Sequence, residues 1–455
     1  MMVSMKEKLG YGLGDMSSSM FWKIFSFYLP IFYSDVFGLS LSSAAVLLLV
    51  TRIWDAVSDP VMGIVADRTR SRWGKYRPWL LWMALPFAVC GCLLFYTPQC
   101  SEACRTCWAY VTYILMMTVY TSINVPYGSM LGVMTADSNE KTVFSSYRMF
   151  FADVGSFVAV FVWEPLVGFF TDISSSESIV AVQHGWFFAM CCIALTTIVL
   201  FLLCFGLTKE RVTMKSAGSI VSDVRHLLRN VPWWLLTAAA LCTNLFTTLR
   251  GSVATYYFKY NVGEGAVVDL GIVSFLFFAG LFLALGEVCN MAGVVLTVPV
   301  SSRMGKKATF IAAAMGLAVL SVAFFHVPMS NGGFIMMVLL QVAISVLTGI
   351  ISPLVWSMYA DVAEYSERKN GMSSTALIFS SGSMAQKFGG AVAGAAVMWM
   401  LDGFGLVPNA VVQTDTALFG VKMVMSYIPA AVAVVEILIL LAYPLGKKNG
   451  NGSYA

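Results

Sequence analysis

Polar residues interrupt this chain rather than alternate along it: long apolar runs are separated by short charged or glycine-containing stretches. A membrane-crossing helix needs about 20 predominantly apolar residues. Runs of that kind fall near 11–36, 41–66, 78–97, 107–134, 144–171 and 185–207, and then near 233–259, 267–299, 307–327, 332–360, 373–401 and 418–445. The polar stretch between the two sets contains Ile220, Val224, Leu227 and Leu228 on one helical face, with Asp223, Arg225 and Arg229 elsewhere. That is the pattern of a short amphipathic helix lying on a membrane surface. The runs predict an all-α integral membrane protein of twelve transmembrane helices. They form two six-helix bundles, 1–207 and 232–455, joined by a linker at 208–231.

The two sets read as a weak repeat. The loop after the second run, "GIVADRTRSRWGKYRP", and the loop after the eighth, "VPVSSRMGKKATF", both place a basic cluster around a glycine, Gly74 and Gly305, just before the next run. Transporters built from repeated halves bind substrate near the bilayer midplane, between the halves. Lysine and arginine gather in alternate connections: 67–79, 140–144, 208–230, 301–307 and 366–370, and both ends of the chain. The opposite connections offer only Arg105, with Lys259 at their margin. Positive charge marks the cytoplasmic side, so both termini are expected in the cytoplasm and the protein in the cytoplasmic (inner) membrane, multi-pass.

Composition strengthens this picture. Of 455 residues, 58% are hydrophobic and 11% charged, against about 25% charged in soluble domains, and the mean hydropathy is +0.79. The excess apolar surface must face a lipid bilayer. The basic loops have an orientation role, so nucleic-acid binding is not needed to explain them. The N-terminal stretch runs into the first apolar run with no small-residue cleavage site, which reads as a retained span rather than a removed signal. His184, His226 and His326 are isolated, no nucleophile–base set is visible, and no phosphate-cradling loop exists. An enzyme is not expected. Cys100, Cys104 and Cys107 share the polar loop "QCSEACRTC", where an oxidising compartment permits one disulfide.

The charges inside the runs carry the chemistry. An ionised side chain at a helix centre costs about 2.5–3.5 kcal/mol on insertion scales. Yet "TRIWDAVSDPVMG" places Arg52, Asp55 and Asp59 along one face. Two such carboxylates repel unless a proton or cation sits between them. Pro60 leaves the carbonyl of Ala56 without its helical donor. Ser58, and Thr121 in the fourth run, are neutral oxygen donors able to complete a hard-cation site. The competing reading is a structural ion pair made by Arg52. Lys387 stands among small residues in the eleventh run and needs a carboxylate partner, which the Asp55–Asp59 surplus would supply. Asp361 and Glu364, at the cytoplasmic end of the tenth run, read as a gate pairing with Arg72 and Arg77 of the 67–79 loop. Lys23, Asp153, Glu164, Arg250, Glu287 and Glu436 receive no role.

The blocks "KLGYGLGD" (8–15), "YSDVFGLS" (33–40), "TRIWDAVSDPVMGIVADRTRSRWGKYRPW" (51–79), "YTSINVPYGSM" (120–130), "YADVAEYSERKNG" and "QKFGG" (386–390) resemble the melibiose permease-like glycoside–pentoside–hexuronide cation symporters. The resemblance runs over nearly the full length, and it implies the major facilitator fold. It implies that Asp55 and Asp59 bind the coupling cation, with Thr121 contributing and Lys387 close by. Ser58 stands where the family pattern has an asparagine, which leaves Na⁺, Li⁺ or H⁺ as the coupling ion. The sugar site departs further. Ser18 and Ser19 align with a lysine–aspartate pair, Asn124 with a sugar-binding aspartate, and Arg148 or Met149 with an arginine.

Ser18, Ser19 and Asn124 can still bond hydroxyls, and Tyr120, Tyr127 or Trp356 can stack on a sugar face. Arg148 and Lys387, with the acids replaced, would suit a hexuronide. The expectation is a monomeric cation-coupled symporter of a sugar or glycoside, working by alternating access without a cofactor. A major facilitator transporter of a non-sugar or lipid-like substrate, and a non-transporting membrane sugar sensor, are the rivals.

Overall fold

A computed structural model describes residues 4–135, 138–173, 178–211, 228–263, 267–269, 274–276, 278–370, 375–410 and 412–445. The expected amphipathic stretch from Ile220 to Leu227 lies outside them. Helices fall on every apolar run: α1 (Met5–Phe27), α2 (Leu41–Arg68), α3 (Arg77–Leu94), α4 (Glu102–Met134), α5 (Ser138–Ile173) and α6 (Ile179–Leu207). The second set comprises α7 (Val231–Tyr257), α8 (Ala279–Met304), α9 (Lys306–Phe325), α10 (Asn331–Asn370), α11 (Thr375–Gly403), α12 (Asp415–Met425) and α13 (Tyr427–Ala442).

Two expectations are corrected. The eighth helix starts at Ala279 rather than near 267, because Val267–Asp269 (β1) and Ser274–Leu276 (β2) pair as an antiparallel hairpin, Val268 opposite Phe275. The β-branched Val267 and Val268 and the aromatic Phe275 suit a strand, and Phe278 is still extended, at φ −134°. The twelfth run is broken at Ser426. Pro429 has no N–H for the carbonyl of Met425, and the Arg250 guanidinium donates to that oxygen at 2.8 Å and to Gln341 Oε1 at 3.1 Å. Arg250 thus serves the backbone.

By length and composition, the described stretches able to cross a membrane lie in α3, α5, α6, α8, α9, α10 and α12–α13. The other long helices are α1, α2, α4, α7 and α11. These carry Ser18, Asp55, Asp59, Thr121, Asn124 and Lys387, so polarity is concentrated where the candidate site residues are.

The chain divides into two compact units, Met1–Ser216 and Ala217–Ala455, the boundary falling inside the expected linker. Within the first, α1 packs on α5 and α6, α2 on α4, and α3 on α4 and α6. Within the second, α7 packs on α11 and α13, α8 on α10, and α9 on α10 and α13. The pairing is the same in both, which makes the weak sequence repeat a structural one. The loops repeat too. Arg77 at the start of α3 donates to the carbonyl of Phe205 near the end of α6 at 2.6 Å. Lys307 at the start of α9 donates to the carbonyls of Leu441 and Tyr443, at the end of α13, at 3.2 and 2.6 Å. Each bond places a cation on carbonyls at a helix C-terminus, where the helix dipole favours it. Gly74 and Gly305 both have positive φ, 115° and 85°, a turn conformation that glycine adopts without a side-chain clash.

Candidate functional site

Asp55 and Asp59 project from α2 toward α4. Asp55 is buried, as is Thr121, while Ser58 and Asp59 are half-buried. Thr121 Oγ1 lies 2.9 Å from Asp55 Oδ1 and 3.0 Å from Asp59 Oδ1. Ser58 Oγ lies 3.4 Å from Thr121 Oγ1 and donates to the Asp55 carbonyl at 3.1 Å. A threonine hydroxyl has one proton and can satisfy one carboxylate at a time. A proton or cation shared within the group would relieve the second close oxygen contact. All four residues expected at the ion site are brought together. The donors are oxygens only, suited to a hard monovalent cation or a proton. The side chains of Arg52 and Pro60 lie outside the described residues.

Beside this group, α1 approaches α4. Ser18 donates to Asn124 Oδ1 at 2.8 Å, and Asn124 Nδ2 donates to the carbonyl of Tyr120 at 3.2 Å. Trp22 and Tyr120 lie with ring centroids 5.7 Å apart, and Ser19 is half-buried one residue along α1. Ser18, Asn124 and Tyr120 thus form one polar, aromatic-edged strip.

Tyr127 takes a different place. It is 1% exposed, its hydroxyl donates to the carbonyl of Tyr11 at 2.5 Å, and its ring lies 4.7 Å from that of Tyr11. No face is left for a sugar. Arg148 reaches Asp15 Oδ2 at 2.8 Å and stands over the Tyr127 ring at 5.4 Å. The sequence reading missed Asp15. It closes "KLGYGLGD", used above only as a block of the family resemblance, and an acid eight residues before Lys23 in an apolar run was the available signal.

In the second unit, Trp356 is half-buried 5.9 Å from Tyr359, whose hydroxyl meets Thr237 Oγ1 at 3.2 Å. Lys387 is half-buried on α11. Of the gate residues, Asp361 pairs with Lys306 at 2.6 Å inside its own unit, and Glu364 is half-buried nearby. Arg72 is exposed and lies 4.2 Å over Trp73. Arg77 is committed to Phe205, and a second missed residue explains its setting. Glu210 accepts from the backbone N–H groups of Lys75, Tyr76 and Arg77 at 2.8, 2.7 and 2.8 Å, capping the N-terminus of α3 as a carboxylate should. In sequence, Glu210 was hidden in a stretch read for its basic residues.

Cys100, Cys104 and Cys107 are free thiols. A hydrogen bond with Cys104 pushes the Cys100 thiol up from its ordinary value.

A family profile described as "MFS/sugar transport protein" matches residues 10–447. The chain is 34% identical over 97% of its length to the "Putative glycoside/cation symporter YagG" of Escherichia coli (strain K12), covering 92% of that protein. It is 33% identical over 98% of its length to the "Isoprimeverose transporter" of Lactiplantibacillus pentosus, covering 90% of it. Among solved structures, that of a D-xylose–proton symporter aligns with a TM-score of 0.67 at 15% identity, over 96% of this chain and 97% of that one. This last likeness speaks for the fold alone.

Proposed function

The chain belongs to the MFS/sugar transport family, within the glycoside–pentoside–hexuronide cation symporters, and we propose that it carries a neutral sugar or glycoside across the cytoplasmic membrane together with one monovalent cation. The observation that carries the reading is the convergence of Asp55, Asp59 and Thr121 within 3.0 Å. The cation, Na⁺, Li⁺ or H⁺, neutralises the carboxylate pair. The adjoining half-buried Ser19, Trp22 and Asn124 then receive sugar hydroxyls and a sugar face, with Ser18 and Tyr120 buried behind them. Linkage requires that substrate tighten cation binding by the same factor as the cation tightens substrate binding.

A hexuronide fits this arrangement less well than a neutral sugar. The Arg148 charge is engaged by Asp15 at 2.8 Å, so a carboxylated sugar would have to displace that acid. Twelve membrane spans with both termini cytoplasmic accord with the helix set and the charge asymmetry. The units 1–207 and 232–455 act as the two moving halves, and the working unit is the monomer. Of the residues expected at the gate, Asp361 and Arg77 are each held within their own unit, by Lys306 and by the Phe205 carbonyl.

Counterflow of labelled glycosides into proteoliposomes, under imposed Na⁺, Li⁺ or H⁺ gradients, tests the proposal. Exchange that accelerates with one cation and is inhibited by a neutral glycoside is expected. Absence of exchange under every gradient would leave a sensor, and exchange selective for glucuronides would overturn the neutral-sugar reading.

A further inference from the structure

Glu436 has no place in the reading above. It lies on α13 in the buried stripe Ala433–Glu436–Leu440, 0% exposed, in the seam with α7. Apolar neighbours surround that seam: Leu236, Ala239, Ala240 and Phe246 on the α7 side. Among the described residues Glu436 Oε1 bonds to Thr243 Oγ1 of α7, and Oε2 is buried without a partner. Thr243 Oγ1 is also positioned to donate to the Ala239 carbonyl at 3.2 Å.

One hydroxyl proton cannot serve both acceptors. If Glu436 is a carboxylate, either Ala239 loses its extra donor or the anion loses its single hydrogen bond. If Glu436 is a carboxylic acid, its O–H donates to Thr243 and Thr243 donates to Ala239, and both contacts are satisfied in one chain. The remaining Oε2 is then a neutral carbonyl oxygen, far cheaper to leave unpaired in an apolar seam than half of an anion. Among the described residues no cation is bonded to Glu436 to offset the charge. The elements packed on α13 bring Cys242 and Arg250 from α7, Lys306, Lys307 and His326 from α9 and its end, and Asp415 and Lys422 from α12. Arg250 is engaged by Met425 and Gln341, Lys307 by Leu441 and Tyr443, Lys306 by Asp361, and His326 by Tyr427. None of them bonds Glu436 among the described residues.

We propose that Glu436 and Thr243 form a proton-binding site in the second unit, occupied in the working protein and separate from the Asp55–Asp59 group. The site makes the protein sensitive to alkaline pH whatever cation drives transport. Infrared difference spectra of the purified full-length protein, wild type minus Glu436→Gln, test this at neutral pH. A protonated-carboxyl C=O band that shifts in D₂O and disappears in the variant is expected. The same variant should lose the alkaline fall in thermal stability while keeping its Na⁺ response. A carboxylate band alone at neutral pH overturns the proposal. If Glu436→Gln does not fold, Thr243→Val is read against wild type. A C=O band displaced by loss of its acceptor supports the site, and no protonated band sensitive to this change overturns it. Neither readout depends on the identity of the sugar.

Discussion

The α2·α4 seam and the α8·α10 seam are the same place in the two units, built to opposite ends. Counting back from the turn glycines Gly74 and Gly305, Asp59 falls at the place of Asn290, and Asp55 at the place of Gly286. Counting back from the in-helix prolines Pro126 and Pro353, Thr121 falls at the place of Thr348. The contacts follow this register: Thr121 meets Asp59 at 3.0 Å, and Asn290 Nδ2 meets Thr348 Oγ1 at 3.3 Å. In the second unit, though, neither matching position is a carboxylate, and the helices touch through glycine. A Cβ on Gly349 would lie 2.1 Å from the Asn290 carbonyl, and one on Gly293 2.2 Å from that of Val346. A Cβ on Gly63, in the first seam, would meet nothing nearer than 4.0 Å. Small residues let membrane helices close on each other. One seam is a packing joint, and the other keeps oxygen atoms in the space that joint would fill. Under the proposed reading, that difference is why one unit would bind the ion rather than both.

The most damaging way to probe the contrast is to make the first seam resemble the second. Asp59→Asn recreates the Asn290–Thr348 pair and removes half of the anionic charge. Loss of an outer-shell partner alone costs about 10–100-fold in metal affinity, so loss of a ligand should cost at least about 100-fold in cation affinity. Cation-driven uptake, and cation-dependent thermal stabilisation of the purified protein, both report it. An unchanged cation response in Asp59→Asn would remove the ion from this seam. The reverse test is Gly349→Ala, which should cost about 1–3 kcal/mol in unfolding stability by overpacking, against an effect within about 0.5 kcal/mol for Gly63→Ala. Equal effects of the two alanines would mean that the seams are packed alike.

The acidic pair was legible in the sequence because a four-residue spacing on a helix is unambiguous and charges in an apolar run stand out. Helix positions were legible for the same reason. Three things were not. The β1–β2 hairpin is apolar enough to read as more of α8, since hydropathy alone does not separate a buried strand from a helix. The break at Ser426 depends on Arg250 arriving from another helix to take the Met425 carbonyl. The partners of Arg148 and of the α3 N-terminus, Asp15 and Glu210, are distant in sequence and carry no local pattern. Tyr127 illustrates the converse. An aromatic in a candidate site looks like a stacking platform until its ring is found filled on both sides.

Hydroxyl substitutions give a finer comparison. Thr121→Val removes the oxygen held between the two carboxylates and should weaken cation binding about tenfold, or about 1.4 kcal/mol, the size of a hydrogen bond to a charged group. Thr348→Val, at the matching place in the second unit, should leave cation affinity unchanged. Isothermal titration of each variant with Na⁺ or Li⁺ separates the two. A similar loss in both would mean that the second seam also takes part in ion binding.

The smallest expected effect belongs to Ser58. Its hydroxyl is committed to the Asp55 carbonyl at 3.1 Å and stands 3.4 Å from Thr121, at the outer edge of bonding distance. It also has no close oxygen contact with either carboxylate among the bonds of the described residues. Ser58→Ala should therefore cost about 0.5–1 kcal/mol, a two- to fivefold loss of cation affinity. Ser58→Asn restores a longer oxygen donor that can reach past Thr121 to the pair, and should bind the alkali cation at least as tightly as the wild type. If Ser58→Ala instead matched Asp59→Asn in severity, the serine would be a principal ligand. The ion's centre would then lie on the Ser58 side of α2 rather than between the two acids and Thr121.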